Sequence, residues 1–159
     1  MDSPDPPPGM HVRALEPRDV RAVLAIQKAS PEAAQWTAAD YAHIDQTATQ
    51  AWIAETEASS EAVAFLVVRQ AADELEILNL AVHPDYRGRG TASILLKAAI
   101  VRARESGAAK IFLEVRESNA AAISFYKRFG FNAAGCRPHY YGNPDENALI
   151  LALVLASAP

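Results

Sequence analysis

The sequence predicts a mixed α/β (α+β) fold: a mostly antiparallel central sheet of about seven strands with helices on both faces. Three observations lead there. The chain has 159 residues, 50% of them hydrophobic and 21% charged, enough for one buried core and short for two ordinary domains. Its middle holds three β-rich runs, AWIAETE, EAVAFLVVRQ and LEILNLAVH, parted by polar turns at 57–61 and 70–74, the pattern of an antiparallel meander. Its second half alternates helical stretches with short apolar runs.

The elements follow in order. Residues 1–9, MDSPDPPPG, are rich in proline and aspartate and offer little to a core, so they read as a flexible tail before a single domain over 10–159. A short strand is expected from Met10 through Leu15. After Pro17, suited to a first helical turn, Val20, Val23, Leu24 and Gln27 form a stripe to about Ala29. The SPEAAQW segment at 30–36 breaks it, and Thr37 with Asp40 resembles a capping box opening a short helix to about Ile44.

Beyond the meander, Gly90 to Ser106 reads as a helix with Ile94, Ala98 and Val101 on one face and Gly107 closing its C-terminus. In KIFLEV, Ile111, Leu113 and Val115 lie on one face and Phe112 on the other; apolar faces on both sides predict a central strand. Asn119 caps a helix ending at Phe129, with Gly130 beyond. FNAAGCR and ALILALVL then pair as closing strands around a loop at 138–144. The expected order is β-α-α-β-β-β-α-β-α-β-β.

Composition narrows the function classes. A formal net charge of −4 disfavours a nucleic-acid partner, which needs a broad basic field. The single cysteine, Cys136, excludes an internal disulfide framework and reads as a small core residue, while four scattered histidines make metal ligation improbable. No run reaches the ~18 apolar residues of a membrane span, and the acidic start lacks the apolar stretch of a secretory signal. A cytoplasmic protein is expected, with its oligomeric state open.

Two places carry chemistry. In HPDYRGRGTA, Gly88 and Gly90 permit a tight turn into a helix start whose free N–H groups favour an anion, and Arg87 and Arg89 add positive charge. A diphosphate site is one reading; a glycine turn with solvated arginines is the other. Glu114 sits in an otherwise apolar strand, where a carboxylate must be paired, hydrated or shifted in pKa. It is either a general base or the partner of Arg116 or Arg137 in a structural ion pair. Asn119, Ile123 and Tyr126 share one helical face, so the Tyr126 hydroxyl either reaches a cleft or packs in the core. Tyr140 and Tyr141, placed in the closing loop, are either an exposed recognition element or a packed anchor.

From Glu76 to Leu155 the chain resembles the GNAT superfamily of acetyl-CoA-dependent N-acetyltransferases, whose Q/R-x-x-G-x-G/A signature stands here as Arg87-Gly88-Arg89-Gly90-Thr91-Ala92. The stretches NLAVHPDYRGRG, LEVRESNAAAISFYKRFGF and RPHYYGNPDENALIL are similar to bacterial ribosomal-protein-alanine N-acetyltransferases. The resemblance implies acetyl-CoA as co-substrate and no metal. It implies a pantetheine strand at Leu80, Ala81 and Val82, a diphosphate loop from Gly88 through Ser93, and a cofactor contact at Asn119. It further implies Glu114 as general base, Tyr126 as general acid and a protein N-terminus, most closely the N-terminal alanine of a small-subunit ribosomal protein, as acceptor. The Pro-Trp-Ser common in the family is spread here as Pro31, Trp36 and Thr37 around a longer loop. A small-molecule amine, a lysine side chain and a non-catalytic CoA sensor are the alternatives.

Overall fold

The computed structural model describes residues 9–44 and 48–155. The tail expected at 1–9 lies outside the described residues except for Gly9, whose carbonyl accepts a hydrogen bond from the Glu57 amide at 2.8 Å. Seven strands form a sheet in the order β1-β2-β3-β4-β5-β7-β6. They are β1 (Met10–Ala14), β2 (Thr49–Thr56), β3 (Ala62–Ala71), β4 (Glu74–Val82), β5 (Lys110–Arg116), β6 (Asn132–Tyr141) and β7 (Glu146–Val154). The helices are α1 (Val20–Lys28), α2 (Ala38–Ala42), α3 (Thr91–Glu105) and α4 (Ala120–Arg128). This is the element order the sequence predicts, with short 3-10 turns added at Pro17–Asp19 and Pro84–Tyr86.

The chain divides into two compact units. The first holds the described residues up to Arg69 together with Leu78–Arg102. Its core gathers Val23 and Ile26 of α1, Tyr41 of α2, Ile53 of β2 and Phe65 of β3. Tyr41 links the helices to the sheet, edge-on to Phe65 at 6.2 Å and tilted against Trp36 at 5.4 Å. Its hydroxyl donates to Gln27 Oε1 at 2.7 Å, and burial pushes the phenol up to about 12. The capping box expected at Thr37 is present: its Oγ1 accepts from the Asp40 amide at 3.2 Å, while Asp40 accepts from the Thr37 amide at 2.7 Å.

The 30–37 segment is built by buried polar side chains. Gln27 Nε2 donates to the Trp36 carbonyl at 2.7 Å. Asn79, buried on β4, pairs its carboxamide with both backbone groups of Ala34, accepting at 3.2 Å and donating at 2.9 Å. One side chain thus replaces a strand partner for a loop residue.

A charged cluster ties β1 and β2 to the 3-10 turn. Arg13 grips Asp19 through two nitrogens at 2.7 and 2.8 Å and reaches Glu55 with Nε at 2.8 Å; His11 pairs with the other Glu55 oxygen. Both carboxylates belong to buried residues. Burial alone would raise their pKa values, but the Arg13 hydrogen bonds outweigh it and hold both below the ordinary range.

The second unit holds Gln70–Ile77 and the described residues from Ala103 onward. Here β5 runs parallel to β4 from Glu74↔Lys110 to Ile77↔Leu113 and antiparallel to β7 from Lys110↔Val154 to Arg116↔Ala148. The strand is central, as expected, but its faces are unequal. Ile111, Leu113 and Val115 are buried, while Phe112 and Glu114 are only partly covered.

Three expectations are corrected. On α3 the buried hydrophobic residues are Ile94, Leu95, Leu96, Ala99 and Ala103, so of the expected face Ile94 is buried, Ala98 is partly covered and Val101 is 51% exposed. The alanine-rich helix offers little apolar contrast, and its two adjacent leucines decide which face turns inward. Cys136 is exposed rather than part of the core. Finally, β6 continues through Pro138 to Tyr141, so Tyr140 and Tyr141 lie on a strand and the turn shrinks to 142–145. Proline reads as a strand breaker, yet β6 is the last strand of the sheet, where a missing N–H costs no ladder bond. The pairing slips between Arg137 and Tyr141, and the Asn147 side chain accepts the His139 amide there at 3.0 Å.

Two predictions follow from these anchors. Arg13→Met takes the guanidinium from two buried carboxylates, leaving Glu55 only His11 and Asp19 only the Glu16 amide, and lowers stability at pH 7. Because the folded-state carboxyl pKa values are depressed, the contribution is full above the unfolded values of about 4 and is lost as pH falls through the folded ones. The gap between wild-type and variant urea midpoints therefore narrows from pH 7 to pH 3; an unchanged gap contradicts the account. Asn79→Ala strands the Ala34 backbone groups and costs about 1–3 kcal/mol. Hydrogen exchange should accelerate across 30–37 while α1 stays protected.

Candidate functional site

In the first unit, β4 ends at Val82 and the His83 amide donates to the Val63 carbonyl at 2.8 Å. Ala81 is buried, while Leu80 and Val82 are partly covered. The chain then makes the Pro84–Tyr86 turn, with His83 Nδ1 accepting from the Asp85 amide at 3.1 Å. Gly88 and Gly90 both take left-handed backbone conformations, at φ +74° and +81°. A Cβ built on Gly88 would meet nothing within 4 Å, so conformation and not crowding requires glycine there.

Helix α3 starts at once, its Ile94 amide donating to the Gly90 carbonyl at 3.2 Å. The amides of Thr91, Ala92 and Ser93 precede that bond and have no acceptor within the helix. Open space at a positive-φ glycine beside free helix-start N–H groups suits a diphosphate.

The two arginines differ. Arg87 is committed to the protein: Nε donates to the Val82 carbonyl at 3.1 Å, Nη2 to Ser30 Oγ at 3.0 Å, and Glu32 lies at 3.5 Å. Arg89 stacks on Tyr86 at 5.3 Å and has no anionic partner among the described residues. The free positive charge of the loop is therefore Arg89, while Arg87 ties it to the segment carrying Ser30. Thr91 is an anchor too, buried with its hydroxyl directed at Met10 Sδ and the Tyr86 carbonyl.

In the second unit, β5 presents Glu114 opposite Ile150 of β7, which pairs in turn with Gly135 of β6. Arg137 of β6 reaches back to Glu114 Oε1 at 3.0 Å. The Glu114 side chain is 13% exposed and that of Arg137 is 55% exposed. Of the two ion-pair partners expected for Glu114, Arg137 is the one found. Arg116 turns instead to Glu146 at 3.4 Å and to the carbonyls of Gly142 and Pro144.

Both tyrosines of β6 carry an arginine: Arg137 lies over Tyr140 at 5.3 Å and Arg116 over Tyr141 at 4.3 Å. A hydrogen bond to the Glu114 carboxylate holds the Tyr140 phenol protonated and raises its pKa; partial burial does the same for Tyr141. Tyr140 is 49% exposed, so it is the open member of the pair.

On α4, the Asn119 Oδ1 accepts the Ala122 amide at 3.2 Å, the expected N-cap, leaving its side-chain N–H groups without a partner among the described residues. The Tyr126 ring is buried against Phe131 at 5.3 Å and Phe125 at 5.1 Å, and burial raises its phenol pKa. Its hydroxyl has no hydrogen-bond partner among the described residues. Of the two readings of Tyr126, core packing is the one seen for its ring.

Glu114, Arg137 and Tyr140 come together. Sequence reasoning missed Ser30 and Glu32, within the 30–37 loop, and Asn79, which holds that loop from β4. Asn79 was findable, being a polar side chain on the same strand face as Ile77 and Ala81. Among the described residues no group of His, Cys, Asp or Glu side chains could hold a metal ion, and no helix is long and apolar enough to cross a membrane.

The acetyltransferase (GNAT) family matches residues 19–131. The chain is 42% identical over 95 residues to the [ribosomal protein bS18]-alanine N-acetyltransferase of Escherichia coli (strain K12), covering 58% of this chain and 64% of that relative's length. It is 31% identical over 140 residues to a Bacillus subtilis (strain 168) protein provisionally given the same name, covering 88% of this chain and 92% of the other. The crystal structure of the ribosomal-protein-S18-alanine N-acetyltransferase from Escherichia coli superposes with a TM-score of 0.82 at 32% identity, over 94% of this chain and 96% of that one. With its signature loop at a helix start, its mixed seven-stranded sheet and these likenesses, the chain belongs to the GNAT family of acetyltransferases.

Proposed function

We propose that this chain transfers an acetyl group from acetyl-CoA to the α-amine of a protein N-terminus, with the N-terminal alanine of a small-subunit ribosomal protein as preferred acceptor. The observation that carries the reading is Glu114: a mostly covered carboxylate on a central strand, beside Arg137 and the open Tyr140. The names of the relatives support the choice of acceptor.

Acetyl-CoA supplies the activated acetyl thioester. Gly88, Gly90 and the amides of Thr91 to Ser93 hold its diphosphate, Arg89 adds charge, and Leu80, Ala81, Val82 and Asn119 line the rest. An α-amine of pKa about 8 arrives mostly as ammonium at pH 7 and cannot attack until it loses a proton. Glu114 takes that proton, directly or through water. The Tyr126 hydroxyl, kept protonated by burial, donates to the departing thiolate. Tyr140 forms a wall for the extended peptide.

A lysine ε-amine, with pKa about 10.4, is a harder substrate for one carboxylate. Labelled acetyl-CoA should therefore modify Ala-starting peptides much faster than the same peptides with a blocked α-amine and a free lysine, or than polyamines. Equal rates would transfer the reading to the lysine or small-amine alternative; binding without turnover of any amine would make the chain a CoA sensor. Glu114→Gln and Tyr126→Phe should each lower turnover by roughly a hundredfold or more. Acetyl-CoA affinity, read by calorimetry, should barely move. Turnover within a few-fold of wild type would remove that residue from its role.

A further inference from the structure

We infer that Arg137 is a positioning residue for deprotonation: its permanent charge beside Glu114 sets the pH at which the bound amine becomes a nucleophile. The inference rests on the reading of Glu114 as the base. It starts from a difficulty in that reading. A lone carboxylate facing an ammonium stabilises the charged amine and raises its pKa, which opposes the proton loss the chemistry requires. A guanidinium on the same carboxylate neutralises it and sets a like charge near the amine. Guanidinium does not release its proton in proteins, so the amine is the group that yields.

Arg137 has the placement for this role. It stands on the edge strand, its guanidinium 3.0 Å from Glu114 Oε1 and stacked over Tyr140 at 5.3 Å. The other charged and titratable groups around it are committed elsewhere or oppose it. Arg116 on β5 is held by Glu146 of β7, whose second oxygen accepts the Ser118 amide at 2.6 Å. His139 of β6 pairs with Asp145 in the turn. Tyr140 stays a neutral phenol beside Glu114, Tyr141 lies under Arg116, and Glu76 of β4 adds a negative charge felt at Tyr140. Among the described residues Arg137 is the cation ion-paired to Glu114.

The proton step balances. One N–H bond of the ammonium breaks with its electron pair left on nitrogen, and the proton passes by way of Glu114 to bulk water, where its new O–H bond forms. A neutral amine, the carboxylate and the guanidinium remain, so the site loses one positive charge, the one that Arg137 repels. At ~6 Å through a partly solvated site, one unit charge moves such an equilibrium by roughly 0.5–1 pH unit.

The test is the single-turnover rate of the full chain with acetyl-CoA and an Ala-starting peptide, measured from pH 5.5 to 9.5. Arg137→Gln should move the acid limb up by roughly 0.5–1 pH unit, with the alkaline plateau within a few-fold of wild type and acetyl-CoA affinity unchanged. Arg137→Lys, which keeps the charge, should return the limb to its wild-type position. A limb that stays in place in Arg137→Gln overturns the inference. So does an equal loss at every pH in both variants, the result expected of a merely structural residue. Glu114→Gln is run alongside: if it remains active the reading of the base fails, whereas an inactive Glu114→Gln with an unmoved Arg137→Gln limb defeats this inference alone.

Discussion

Strand β5 is hydrogen-bonded on both edges, and that double pairing is the constraint on which the second unit depends. Ile111, Leu113 and Val115 bury one face, each contributing roughly 1.5–3 kcal/mol relative to exposure. A slip of one residue would expose all three and drive Lys110, Glu114 and Arg116 into the core. Register is therefore strongly specified, and Glu114 holds its position through the burial of its neighbours. No special backbone geometry is needed to present a carboxylate on a partly covered face. The alternation of a well-packed strand does it.

The hairpin of β6 and β7 then decides what surrounds that carboxylate. As the last strand, β6 tolerates Pro138 and a slip in pairing, and the slip changes which residues can reach back across the sheet. Arg137 returns to Glu114 while Arg116 is drawn to Glu146 and the carbonyls of the 142–145 turn. Each arginine also covers one tyrosine of β6. The two cations are thus sorted: one braces the turn, the other stands at the Glu114 carboxylate.

In the first unit the corresponding task falls to buried amides. Asn79 and Gln27 satisfy backbone groups that the 30–37 loop would otherwise leave unpaired, so a long irregular segment is held without secondary structure of its own. Arg87 and Ser30 join that segment to the glycine loop. The diphosphate site proposed for that loop needs a fixed backbone, and these side-chain ties oppose the freedom that two glycines add.

By itself the sequence determined the element order, because strand alternation, helix stripes and caps are local: Asn119, Thr37 with Asp40, Gly107 and Gly130 all stand where their chemistry requires. It also singled out Gly88, Gly90 and Glu114, each conspicuous against its own neighbours. Only the tertiary structure decided between Arg116 and Arg137 as the partner of Glu114, since both are plausible until the β6 register is known. The same holds for the exposed Cys136 and for the inward face of α3, where burial depends on elements distant in sequence. Pro138 is the clearest case. Its missing N–H is a local fact, but whether that loss matters depends on a neighbouring strand that is not there, and the place of β6 in the sheet is a non-local one.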